Sequence, residues 1–143
     1  TLPAIVAFAQ QEESRLVAEV VNRSAGATGG VVGRGAALES LMRGELRTLV
    51  AARDLDGSVW ECTACGYVAA ARAEACPLCR AATAQASLRQ ILPVLAKRHG
   101  AALEVVGPAA VPRLPEDLGG LLRYVPSQAS PEAAGEAPAS RPA

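Results

Sequence analysis

Between Ala9 and Arg23 the apolar residues Leu16, Val17, Val20 and Val21 recur at helical spacing, while Glu12, Glu13, Arg15 and Glu19 fall on other faces. The pattern predicts a helix that ends at Gly26, Gly29 and Gly30. A second, shorter helix is expected over about Gly35 to Arg43, with Leu38, Leu41 and Met42 as its apolar stripe and Gly44 as its stop. Leu46 to Ala52 (LRTLVAA) then reads as a strand, followed by a turn at Asp56-Gly57. Further on, Leu88, Ile91, Leu92 and Leu95 mark one face of a third helix. Ser87 and Gln90 form a candidate capping box for it, and Gly100 stands where a terminating glycine belongs. Pro93 predicts a kink or a later start, because inside a helix it removes a hydrogen bond and crowds the preceding turn. Ala102 to Val106 and Gly120 to Val125 read as two more strands. Helices alternating with short strands imply an α/β domain over residues 1–125. From Pro126 onward the chain is Pro, Ala, Ser and Glu without periodicity, which predicts a disordered tail over 126–143.

Composition changes that picture in two ways. Half of the residues are hydrophobic, but many are alanines and only 3% are aromatic, so the core must be built from Leu, Val and Ile. The 14 basic and 14 acidic residues cancel, and Lys97 is the only lysine. A domain that binds nucleic acid on its own strength carries a basic excess or stripe, so direct sequence-specific nucleic-acid recognition is not expected. The apolar run Leu2 to Ala9 is too short to span a bilayer and has no charged leader, so no membrane role and a cytoplasmic location are expected.

The chemistry is concentrated in WECTACGYVAAARAEACPLCR, Trp60 to Arg80, which holds all four cysteines. Cys62 and Cys65 form one C-x-x-C pair, Cys76 and Cys79 the other, and ten residues separate them. Each pair offers two thiolates from one tight turn, and two such turns facing each other complete a tetrahedral metal site. Gly66 supplies the left-handed backbone such a turn needs, and Pro77 stiffens the second. The segment 59–82 is therefore expected to be a zinc-ribbon insertion between a strand and a helix, holding one structural Zn²⁺ and folding around it. A closed four-thiolate site has no open position for a substrate. The same ligands suit a single iron of rubredoxin type, which Trp60-x-Cys62-x-x-Cys65-Gly66-Tyr67 resembles, although rubredoxin pairs lie further apart in the chain. Two disulfides would need an oxidising compartment. A zinc ribbon contacting nucleic acid directly would have only Arg72 and Arg80 as basic residues between Trp60 and Ala82.

Other motifs have plainer readings. The run Gly29-Gly30-Val31-Val32-Gly33-Arg34-Gly35 precedes a helix and could cradle a phosphate, but it lacks both glycine orders of the nucleotide-binding fingerprints and reads as a flexible turn. His99, the sole histidine, stands with Lys97 and Arg98 at a helix end, where cations favour the helix dipole. One histidine supports no Ser-His-Asp or Cys-His arrangement. The acid pairs Glu12-Glu13 and Glu116-Asp117 read as solvated surface. No catalytic constellation is present, and the chain is not expected to be an enzyme.

Taken in order, the W-x-C-x-x-C-G and C-P-x-C motifs, the helix after them, the strand in GAALEVVG and the ending Leu118-Gly119-Gly120-Leu121-Leu122-Arg123-Tyr124 resemble one known arrangement. The chain is similar to the C-terminal domain of the class-1 peptide chain release factor of archaea and eukaryotes, shared with Pelota, and looks most like bacterial relatives of that family. The likeness spans about Leu16 to Tyr124 and includes the strand in Gly44-Glu45-Leu46-Arg47-Thr48-Leu49-Val50. The ending is one residue shorter between its glycines and LRY than the family pattern. Some archaeal members carry paired cysteines at the matching insertion. The resemblance implies an α/β/α sandwich of the ribosomal L7Ae and L30e type. It also implies a non-catalytic domain that docks a translational GTPase, the ribosome or both, in termination, ribosome rescue or hibernation. In that family peptidyl-tRNA hydrolysis belongs to a separate domain with a Gly-Gly-Gln loop, and no Gln follows a Gly-Gly here. The chain is thus expected to be one domain of a larger factor, or a free-standing remnant of one.

Overall fold

The computed structural model describes residues 2–124, with side chains from Phe8 onward, so the tail expected over 126–143 lies outside the described residues. Three α-helices, α1 (Leu2–Ala25), α2 (Arg34–Met42) and α3 (Leu88–Arg98), alternate with seven strands. The strands are β1 (Gly30–Val32), β2 (Leu46–Ala52), β3 (Ser58–Cys62), β4 (Val68–Ala69), β5 (Thr83–Ser87), β6 (Ala102–Val106) and β7 (Leu118–Leu122). They form two sheets. The larger has the order β1-β7-β2-β6, in which β7 runs antiparallel to both neighbours and β2 and β6 are parallel. The smaller is the antiparallel sheet β4-β3-β5.

The larger sheet is covered on both faces. On one, Val17 and Val20 of α1 pack with Val50, Val106 and Leu121, closed by Ala110 and Leu114 from the segment before β7. On the other, Ala37, Leu38 and Leu41 of α2 and Leu92, Leu95 and Ala96 of α3 pack on Leu46, Leu49, Ala51 and Leu118. Leu46 and Leu49 would point to opposite faces of a regular strand, since side chains alternate. The pairing of β2 with β7 shifts between Leu46 and Thr48, so Arg47 is an extra residue that returns Leu46 to the face of Leu49.

The expected helices are present, with adjusted ends. α1 starts before Ala9, at Leu2. α3 runs from Leu88 to Arg98 with Pro93 inside it, and the Ser87 hydroxyl accepts from the Gln90 backbone N–H. Pro93 is exposed, so the carbonyl one turn back can turn to water and the helix is not delayed. The strand expected from Gly120 lies two residues earlier, at Leu118–Leu122.

The reading of residues 29–35 as a flexible turn is corrected, because Gly30–Val32 forms an edge strand on β7. A Cβ on Gly30 would lie 2.6 Å from the Val20 carbonyl oxygen and 2.7 Å from the Ser24 nitrogen, so glycine lets β1 touch the backbone of α1. The sheet around the cysteines also runs further than 59–82, from Ser58 to Ser87. It is not a detached appendage: Val59 and Val68 are buried in the same cluster as Leu38, Leu41, Leu88 and Leu95.

Candidate metal centre

The antiparallel pairing of β3 with β5, from Ser58↔Ser87 to Cys62↔Thr83, brings both ends of the cysteine segment together. Beyond it, Ala75 bridges Ala82, and the Thr63 N–H donates to the Ala82 carbonyl. Two tight turns then face each other. In the first, the Cys62 N–H donates to the Tyr67 carbonyl and the Gly66 N–H to the Cys62 carbonyl, with Gly66 at φ +82°. In the second, the Cys76 N–H donates to the Ala81 carbonyl and the Arg80 N–H to the Cys76 carbonyl, with Arg80 at φ +69°. Arg80 thus takes the left-handed place that Gly66 fills in the first turn.

The sulfurs of Cys62, Cys65, Cys76 and Cys79 all lie within 4.8 Å of one another. Two close contacts cross between the turns, at 3.4 Å for Cys62–Cys79 and 3.6 Å for Cys65–Cys76. A tetrahedral ion with Zn–S bonds of about 2.3 Å needs sulfur–sulfur edges of roughly 3.8 Å, so the donor set fits one ion. Backbone N–H groups aim at the sulfurs: Ala64 and Cys65 donate to Cys62 Sγ, and Leu78 to Cys76 Sγ, each at 3.3 Å.

These donors separate the thiols. The Cys65 N–H on its sulfur, aided by that of Ala64, outweighs desolvation and draws Cys62 down to about 6. At Cys65 the Tyr67 N–H favours the thiolate, but desolvation and the three neighbouring sulfurs together push the thiol up to about 12. At Cys76 desolvation is outweighed by the N–H groups of Cys79 and Leu78, and the thiol is lowered. Four sulfurs this close do not all ionise alone, and a dication supplies the charge that lets them.

The other sequence candidates are accounted for by contacts within the chain. Among the described residues, the four cysteines are the one cluster of three or more metal-ligating side chains. His99, the C-cap of α3, is not a member of that cluster but lines a cleft of about 200 Å³ with Cys65 and Gly66 of the first turn and with Met42, Tyr67, Leu78 and Arg98. Burial and Arg98 lower its pKa. The glycine run before α2 does not leave that helix's first N–H free, because Glu116 Oε1 accepts from the Arg34 N–H at 2.7 Å. Glu116 is exposed, as expected of solvated surface, but it also makes this contact within the chain, from the left-handed region at φ +55°. Glu13 likewise accepts from the Gly107 N–H at 2.8 Å, and Asp117 accepts from Arg113.

Arg123 has a role that the sequence alone did not reveal. α2 and α3 end alike: Gly44 donates to the Leu41 carbonyl and Glu45 to that of Ser40, while Gly100 donates to Lys97 and Ala101 to Ala96. The Arg123 guanidinium then donates to the carbonyls of Gly44 (3.0 Å), Gly100 (2.7 Å) and His99 (3.4 Å), fastening both helix ends to the end of β7.

The sequence matches no protein-family model and no curated protein. The structure is similar to the C-terminal domain of a peptide chain release factor from Methanosarcina mazei, with a TM-score of 0.55 and 17% identity over 86% of this chain and 88% of that one. This likeness is one of fold. The expected resemblance is thus met at the level of architecture, along nearly the whole of both chains. No described helix is long and apolar enough to cross a membrane.

Proposed function

We propose that this chain is a non-catalytic, zinc-bearing binding domain of release-factor type, working in the cytoplasm on the ribosome, a translational GTPase or both. The observation that carries the reading is the fold shared with a release-factor C-terminal domain over 86% of the chain, joined to the LGGLLRY ending and the paired cysteines in the same order. The finer assignment to the L7Ae-like type of α/β/α sandwich belongs to the same proposal and is supported by helices on both faces of the larger sheet. Cys62, Cys65, Cys76 and Cys79 would hold one Zn²⁺, whose chemistry is structural because four protein thiolates leave no coordination position for a substrate. What the chain itself does is close β3, β4 and β5 around those sulfurs and seat them on the main core.

Action by contact, in termination, rescue or hibernation, is the role in keeping with these features. The experiment is co-sedimentation of the purified chain with ribosomes, with and without a translational GTPase, alongside metal analysis. One zinc per chain and retention in the ribosomal pellet are expected. Absence from the pellet under every condition would remove the translational reading, and one iron per chain would remove the zinc assignment.

A further inference from the structure

The four sulfurs have a second use that metal binding alone does not require. Each close contact between the two turns joins one exposed and one buried cysteine: exposed Cys79 lies 3.4 Å from buried Cys62, and exposed Cys65 lies 3.6 Å from buried Cys76. Four cysteines allow three pairings, and these contacts favour one of them. A solvent-exposed cysteine beside a buried one is an arrangement in which an oxidant reaches the pair and the second thiol completes a disulfide.

We infer that the cysteine centre is an oxidation site, at which a peroxide converts the metal-bearing ribbon into a metal-free one closed by the nested disulfides Cys62–Cys79 and Cys65–Cys76. The inference rests on the metal-site reading above for the ion that is expelled, but the pairing follows from the sulfur positions themselves. At each pair one sulfur, as its thiolate, attacks one oxygen of hydrogen peroxide. The S–O bond forms, the O–O bond breaks, and the departing hydroxide takes up a proton as water. The other sulfur of the pair then attacks the sulfenic sulfur, the S–S bond forms, and the sulfenic oxygen leaves with its hydrogen as hydroxide, which is protonated to a second water. Each pair loses two electrons and consumes one peroxide. The ion leaves because its thiolate donors are gone.

The turns need not come apart for this, because hydrogen bonds that do not involve the sulfurs also tie them together. The Thr63 N–H and hydroxyl both bond the Ala82 carbonyl, and the Thr83 hydroxyl bonds the Ala73 carbonyl. Val59 and Val68, on the strands behind the turns, stay anchored in the main core. Crosslinks between turns held this way replace one closed state by another.

The test uses the full chain in two forms, as purified and stripped of metal by a chelator under reducing conditions. Each is titrated with hydrogen peroxide while released metal is followed with a chromophoric chelator. Disulfides are then mapped by mass spectrometry of proteolytic fragments, and a dithiol reductant with added zinc is used for recovery. In the metal-bearing form, complete metal release is expected with the loss of all four thiols, with Cys62–Cys79 and Cys65–Cys76 as the dominant links and recovery on reduction. The stripped form should give the same two links. Links within the turns (Cys62–Cys65 and Cys76–Cys79), scrambled links, or irreversible sulfinic acids in either form would overturn the inference. Should the purified chain contain no metal while the stripped form still gives the two nested links, the metal reading falls and the oxidation site stands.

Discussion

At the scale of single residues, the side chains that organise this molecule are polar groups placed on backbone ends. Arg123 is the clearest case. Its planar fork reaches carbonyls past the ends of two helices, where the dipoles concentrate partial negative charge. Its place at the end of β7 therefore has a structural explanation within the chain. Arg123→Ala should lower stability by about 1 kcal/mol, the modest figure reflecting an exposed guanidinium. Lysine, lacking the fork, should recover little of that loss. The check is the urea midpoint of each variant at constant denaturant dependence. A variant as stable as the parent would show that the two helix ends hold without the clamp.

Among the elements, legibility followed length and side-chain size. β2 was read from Leu46 to Ala52 and β6 from Ala102 to Val106 because each carries at least three large apolar residues in a short run. The three-residue β1 was hidden by its flanking glycines. β7 was displaced because Gly119 looks like a turn, although it is there for space: a Cβ on it would come within 2.8 Å of the Val31 carbonyl oxygen. The strands of the small sheet were masked by the metal motif and by Ala- and polar-rich β5, whose order comes from pairing with β3 and not from a periodic face. The four ligand candidates, in contrast, were fully legible, since C-x-x-C spacing is itself the geometry of a turn. The segment between β6 and β7 is tied to the end of β2 by Arg113, which reaches both carboxylate oxygens of Asp54 at 2.9 Å and also Asp117. The Arg113 hydrogen bond holds the Asp54 carboxyl below its usual range. A carboxyl depressed in the folded state stabilises above its unfolded pKa, and that contribution is lost as pH falls through the folded value. Asp54→Asn should therefore be less stable than the parent at neutral pH, and the gap should close as pH falls below the usual carboxylate range. Urea midpoints of both proteins across that range test this, and comparison of the pair cancels any acid release of metal. A gap that widens in acid would mean that Asp54 is not the group under strain.

For the whole molecule, the decisive feature is that the small sheet beside the cysteine cluster and the larger sheet with its helices share one core. Sequence placed the cysteines in an insertion outside the periodic elements, which implies that losing the metal would loosen only the segment around them. Val59 and Val68 contradict such independence, because both are completely shielded and sit with the helix leucines of the main cluster. The core holds no aromatic residue: Phe8 and Tyr124 are exposed, and Trp60 and Tyr67 are half-buried on the small sheet and its adjoining turn. Trp60, the only tryptophan, pairs across strands with Gln85 and Ala69, so its emission reports the small sheet alone. Far-ultraviolet circular dichroism is dominated by the three helices of the sandwich. With metal bound, the shared core makes the two units one cooperative block, and the two signals should melt together. With the metal removed, four clustered thiols no longer hold the turns, and the Trp60 transition should move to lower temperature ahead of the helical one. It should also take part of the helical stability with it, because Val59 and Val68 then leave the floor beneath α2 and α3 exposed. Separate transitions in the metal-bound protein, or an unchanged helical melt after stripping, would show that the small sheet folds on its own and only leans on the sandwich.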